Sequence, residues 1–336
     1  EIYTLSLHDA LPIWFSYDPT YNDIIRVIGL TQFARGKLGD IVALLSGRNF
    51  ETRQNEKEIA DESFKKLEKG LYQFTNENKF KHFVQNVLRA SGYDEPGMLI
   101  ARNAVNYAYA MYLRLLDVGE NHAMVNSSVR RLLAISLMTG RHSGSFETRF
   151  EQDIKRINQP GDITKFIATL EEQELSDAFW NSTLVDEFDK PTVNNPFWHM
   201  FVAAQNKLLK QSFLSKSNLA RDLATGEIHH IFPKNYLVKN GYDKTKYNRI
   251  ANFVHLKNDI NVSVSDAAPN KYLSNILSGD NNHHSDIASE KELADNFNDN
   301  AIPQMLIEAD ADDYADFLRQ RQRLMAQMLR EYYESL

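Results

Sequence analysis

"GEIHHIFPKNYL", Gly226 to Leu237, is the stretch on which the reading of this chain turns. Two adjacent histidines, His229 and His230, lead through an apolar pair into Pro233. Successive side chains on a strand face opposite sides, so the two rings cannot both ligate one ion from a flat strand. The division that suits them is one metal ligand and one base. "RIANFVHL" follows with Asn252, and "KNDINVSV" with Asn261. These spacings suit a strand, a loop, a second strand and a helix folded back over a single ion. Phosphodiester hydrolysis needs a deprotonated water, neutralisation of the charge growing on phosphate, and a stabilised leaving oxygen. A histidine suits the first need and a divalent cation the other two.

Around this stretch the charge is uneven. Residues 207–257 hold ten lysines and arginines against three acids, Asp222, Glu227 and Asp243. The chain as a whole is acidic, with a formal net charge of −7. A local basic face can hold a phosphate backbone inside an acidic protein. Lys234, Arg249, Lys257 and Lys271 lie nearest in sequence to the histidines and asparagines and are the candidate phosphate contacts.

Upstream, residues 20–180 read as successive helices. Ile59, Phe64, Leu67, Leu71 and Phe74 recur at helical spacing and are expected to face inward. Leu38, Ile41, Val42 and Leu45 do the same before Gly47. "MLIARNAVNYAYAMYLRLLD", residues 98–117, is apolar on nearly every side and is expected at the centre. Pro191 and Pro196 mark a boundary. Residues 278–300 are rich in Asn and Asp and read as a loop or insertion. A long helix closes the chain, with Phe317, Leu318, Leu324, Met328 and Tyr332 inward and Arg319, Arg321, Arg323 and Arg330 on a solvated face. The expected fold is mainly α, an α+β protein whose helical frame embeds a small ββα unit. The expected domains are 14–190, helical; 191–280, the ββα unit; and 281–336, a loop and a C-terminal helix packed on the helical domain.

The first thirteen residues stand apart. "EIYTLSLHDALPI" back-translates without a mismatch to a common sequencing adapter and is excluded from the fold. Its removal takes away Glu1 and Asp9 and moves the net charge to −5. The natural chain is therefore expected to continue upstream of Trp14. Cysteine is absent, which excludes disulfides and cysteine-based zinc sites and suits a reducing cytoplasm. No apolar run is long enough for a membrane span.

"HHIFPKNYL" with "KYNRIANFVHLKNDINVSVSDAAPNKYL" resembles an HNH, or ββα-metal, nuclease core. The likeness is nearest to the His-x-x-Pro C-terminal domain of GmrSD-type, modification-dependent restriction endonucleases and related prokaryotic phage-defence proteins. "GKLGDIVALLSGRNFETR" and "LMTGRHSGSFETRFEQDI" resemble the helical region of the same proteins, so the likeness spans most of residues 14–336. It implies that His229 is a metal ligand and His230 the general base. Asn252 would orient the base and the loop, and Asn261 would complete the metal shell. Pro233 completes the His-x-x-Pro signature. An asparagine in the last position suits Mg²⁺ or Mn²⁺ better than Zn²⁺. The implied partner is DNA, in the cytoplasm of a prokaryote. Nucleotide use is implied only through an N-terminal domain whose motif this chain lacks. A double-strand cut needs two active sites, which makes a homodimer the expected working form. Two alternatives remain open: a non-catalytic nucleic-acid or protein-binding scaffold that keeps the ββα shape, and an HNH nuclease acting on RNA. His255 competes for a second role at the ion. His283 and His284 read as loop histidines. His82, His122, His142 and His199 read as packing or surface residues.

Overall fold

The computed structural model describes residues 17–95, 97–279 and 285–336. Residues 1–13, Trp14, His283 and His284 lie outside the described residues. The fold is mainly helical, with one two-stranded sheet among the described residues. The chain divides into two compact units, Glu1–Leu175 with Leu336, and Ser176–Ser335. The division falls at the interruption of helical backbone after Glu174, ahead of Pro191 and Pro196.

The first unit contains α1 (Tyr21–Phe33), α2 (Leu38–Leu45), α3 (Lys57–Phe74), α4 (Glu77–Phe83, prolonged by a π-turn over Val84–Leu88), α5 (Arg102–Asp117), α6 (His122–Thr139), α7 (Phe146–Ile154) and α8 (Asp162–Glu174). A capping box starts α1: Thr20 accepts from the Asp23 amide, and the Asp23 carboxylate accepts from the Thr20 amide at 2.8 Å. As its sequence predicts, α5 is buried without a break from Ala104 to Leu113, and it packs on α1 and α6.

The α3 face departs from expectation. Phe64 and Leu71 are 56% and 43% exposed, and the buried residues are Ser63, Gly70 and Phe74. Gly70 supplies the reason. A Cβ there would lie 2.5 Å from Ile28 Cγ2, so α3 approaches α1 through its small residues and turns its larger ones outward. Val42 is likewise exposed while Ile41 is buried.

A polar cluster sits inside this unit. Arg141 donates to both oxygens of buried Asp153, at 2.7 and 3.0 Å, and pairs with Glu174. Tyr107 donates to the same carboxylate at 3.2 Å. His142 Nδ1 lies 2.9 Å from Ser136 Oγ. These contacts pin the "TGRHSGSFETRF" turn between α6 and α7.

The second unit begins with a π-turn over Phe179–Thr183 and continues as α9 (Leu184–Glu187), α10 (Pro196–Lys207), α11 (Leu219–Asp222), β1 (Glu227–His230), α12 (Lys234–Lys239), α13 (Lys244–Tyr247), a 3-10 turn (Ile250–Asn252), β2 (Phe253–Leu256), α14 (Asn258–Val264), α15 (Pro269–Leu277), α16 (Glu290–Asp299), a 3-10 turn (Gln304–Ile307) and α17 (Tyr314–Glu334). Pro196 opens α10 where its missing amide proton costs nothing, and Asn195 caps it. Part of the stretch expected as a loop is a helix, α16. Ser289 caps it, and Leu293 and Phe297, one turn apart, are buried. Asn296 faces inward: it accepts from the Leu214 amide at 2.9 Å and donates to the carbonyls of Ser212 and Ser215. The closing helix α17 packs on α9, α10 and the Ile250–Asn252 turn, all within its own unit.

Candidate active site

The two strands pair antiparallel, with Glu227 opposite Leu256, Ile228 opposite His255, His229 opposite Val254 and His230 opposite Phe253. Cross-strand partners share a face. His229 therefore shares a face with Val254 and Leu256, and His230 shares the other with Phe253 and His255. Gly226 admits the chain to β1. A Cβ there would meet the carbonyl oxygens of Asp222 and Leu256 at 2.8 and 2.9 Å. Val254 and Leu256 belong to one core cluster with Ile260 and Val264 of α14. Asn261 of α14 is half-buried. In chain order the elements run β1, the connection, β2 and α14.

His230 is half-buried at the end of β1. Its ring lies 4.8 Å from that of Phe253 and 5.8 Å from that of Tyr247. Nε2 is 2.9 Å from Asn248 Oδ1. An amide oxygen only accepts, so this contact places the ring proton on Nε2 and leaves Nδ1 with its lone pair. Burial holds the pKa below the ordinary histidine value; the bond to Asn248 opposes this, and the nearby His229 and Lys234 add to it. The ring is a neutral base at neutral pH.

The partner of His230 is therefore Asn248, where Asn252 was expected. Asn252 is fully buried and acts on the backbone. Its Oδ1 accepts from the Phe232 amide at 2.9 Å, and its Nδ2 donates to the carbonyls of Phe232 and Tyr247 at 3.2 and 3.1 Å. The Ile231 amide donates to the Asn252 carbonyl at 2.8 Å. Asn252 thus staples the exit of β1 to the entry of β2. Its bond to the Tyr247 carbonyl fixes the residue before Asn248. Further bonds brace the same segment. Tyr272 donates to the Ile231 carbonyl at 3.1 Å and Tyr314 to the Lys246 carbonyl at 3.0 Å. The amides of Ile250 and Ala251 donate to the carbonyls of Lys190 and Phe188.

His229 is half-buried, and burial also lowers its pKa, against the opposing charges of Glu227 and Asp266. Asp266 accepts from Asn235 Nδ2 at 3.1 Å. The residue before it, Ser265, has a φ of 50°, a strained turn that ends α14. Imidazole and amide-oxygen donors suit a divalent cation of the Mg²⁺ or Mn²⁺ class, but no group of three or more His, Asp or Glu among the described residues stands close enough to hold one. Asp266 was not singled out from the sequence, since nothing local separates it from a turn aspartate.

The candidate phosphate contacts fall into two groups. Arg249 is occupied: it donates to the Asp189 carbonyl at 2.6 Å and pairs with the Asp189 carboxylate. Lys257 pairs with Asp286 at 3.4 Å. Lys234 is exposed, with Nζ 5.9 Å from the centre of the Tyr247 ring, and Lys271 is exposed on α15. Of the wider basic window, Lys210 and Lys216 pair with Asp299 and Glu292. Lys234, Lys239, Lys244 and Lys246 are exposed and meet no carboxylate at ion-pair distance among the described residues. All four lie on the connection between the strands.

His255 stacks on buried Trp198, with centroids 5.7 Å apart, and its Nδ1 is buried without a hydrogen-bond partner. Burial and then His199 depress its pKa to about 4. Arg321, expected on a solvated helix face, is fully buried. Comparisons with protein-family models, with curated proteins and with solved structures gave no match. No helix among the described residues is long and apolar enough to cross a membrane.

Proposed function

We propose that the second unit is a divalent-metal-dependent endonuclease of the HNH type, with a ββα-metal core, that hydrolyses DNA phosphodiesters in the restriction of foreign or modified DNA. The observation that carries this reading is the His230–Asn248 bond. It gives a neutral imidazole with one nitrogen oriented and the other left basic, which is the arrangement of a general base. The base takes a proton from the attacking water through Nδ1. His229 and Asn261 would hold the cation, with Asp266 near the first of them. When bound, the ion neutralises charge on the scissile phosphate and the leaving oxygen. Asn252 keeps the two strand ends in register so that both histidines hold their places. Lys234, which acts on His230, and the exposed Lys239, Lys244 and Lys246 of the same connection present an excess of positive charge that favours a polyanionic substrate.

The test is incubation of the chain with supercoiled plasmid, and with RNA of matched sequence, in Mg²⁺, Mn²⁺ or EDTA. Metal-dependent nicking of the plasmid is expected. Cleavage of RNA alone would move the substrate class, and binding of both without cleavage would favour the scaffold.

A further inference from the structure

The C-terminal helix carries a side chain whose burial has no counter-ion. Arg321 is 0% exposed. Its helical neighbours one turn away, Phe317 and Met325, are buried and apolar. Nη1 donates to the carbonyls of Ala251 at 2.8 Å and Phe253 at 2.7 Å, and Nη2 donates to the Asn300 carbonyl at 3.3 Å. It forms no ion pair with a carboxylate among the described residues. Burying a cation against carbonyls alone is costly, and well-packed apolar residues commonly serve such a place at lower cost. The return is geometric. The two short bonds grip the peptide groups on either side of Asn252, while the Asn252 carbonyl is gripped by the Ile231 amide. Charge-assisted bonds are about twice as strong as neutral ones, and the planar fork can hold several acceptors in fixed directions.

We propose that Arg321 is a positioning residue for the candidate active site. It locks the backbone flanking Asn252, so that the Asn252 side chain holds Phe232 and Tyr247 and keeps His230 against Asn248. This rests on the nuclease reading for its consequence in turnover and on geometry alone for its consequence in order.

Two readouts test it on the full chain: R321M and R321K beside N252A and the double variant R321M/N252A. The first is hydrogen exchange at the Phe232 amide, which Asn252 Oδ1 accepts. Faster exchange in R321M is expected, with partial recovery in R321K and unchanged exchange in α5 of the other unit. The second is single-turnover cleavage. R321M is expected to lower the maximal rate by up to about tenfold, no more than loss of the Asn248 contact itself, with substrate affinity unchanged. The double variant is expected to be no slower than the slower single variant, because both remove one device. Wild-type exchange at Phe232 in R321M, or losses that multiply in the double variant, would overturn the proposal. Should R321M fail to fold, R321K carries the test, since one ammonium lacks the second nitrogen that anchors the fork on the Asn300 carbonyl while Nη1 holds those of Ala251 and Phe253; wild-type exchange and turnover there would overturn it. Absence of cleavage in the wild type would count against the nuclease reading and leave the exchange result to decide for Arg321.

Discussion

His142 in the first unit and His230 in the second invite the same reading and have opposite surroundings. His142 stands with Ser136 and Asp153, the composition of a hydrolytic triad. Yet Nδ1 meets the serine, and Nε2 lies 3.5 Å from the carboxylate, the reverse of the order that activates a hydroxyl. The ring is 4% exposed, packed 3.9 Å from the Tyr107 ring and 4.8 Å from that of Phe150. Asp153 is already committed to Arg141 and Tyr107. His230 is half-buried, held at one nitrogen by a neutral amide, with exposed Lys234 nearby. A polar group whose partners are all committed builds structure, whereas a group held at one end keeps the other for chemistry.

The comparison is broken most severely through Asp153. Replacing it with alanine takes away the carboxylate shared by Arg141 and Tyr107, leaves Arg141 with Glu174 alone, and is expected to destabilise the first unit by about 3–5 kcal/mol, measured by urea unfolding. Little change would mean that the cluster is no keystone.

A second prediction turns on pH. The folded pKa of His255, near 4, lies below the ordinary value of about 6.5. Protonation therefore favours the unfolded chain. The stability tied to the neutral ring is present above about pH 6.5 and is lost as pH falls toward 4, up to about 3 kcal/mol. His255→Phe keeps the stack on Trp198 and removes the titration. Its unfolding midpoint is expected to vary less across this window, and an unchanged pH profile would contradict the assignment.

The basic connection gives a third. Changing Lys239, Lys244 and Lys246 together to glutamine is expected to reduce the salt slope of DNA binding by about 3 and to weaken binding by roughly tenfold at moderate salt. An unchanged slope would place the phosphate contacts elsewhere. The smallest expected effect is that of Asn248→Ala, about tenfold in cleavage rate, since the base remains and only its orientation is lost. A loss as large as that for His230 itself would give Asn248 a direct part in the chemistry.

Part of the local fold was legible in the sequence: alternation on a strand separates His229 from His230, and the antiparallel return brings Asn252 beside the exit of β1. Asn248 was not, for an asparagine in a polar connection looks like a turn residue until α13 folds back onto β1. Arg321 carried a usable signal: it falls one turn from both Phe317 and Met325, so helical period put it inward while its charge argued outward. In α3 the deciding residue was Gly70, whose small size set the packing face against the larger hydrophobics. In α16 the Asn-rich composition hid a helix whose amides bond to loop carbonyls inside the core.

The most direct test is single-turnover nicking of supercoiled plasmid in Mg²⁺ or Mn²⁺ by the wild type, H230A and H142N, each shown folded by circular dichroism at the assay temperature. The account predicts that H230A loses at least a hundredfold and up to about ten-thousandfold, the range for a general base, while H142N nicks at the wild-type rate per folded chain. Undiminished nicking by H230A, or its loss in folded H142N, would contradict it.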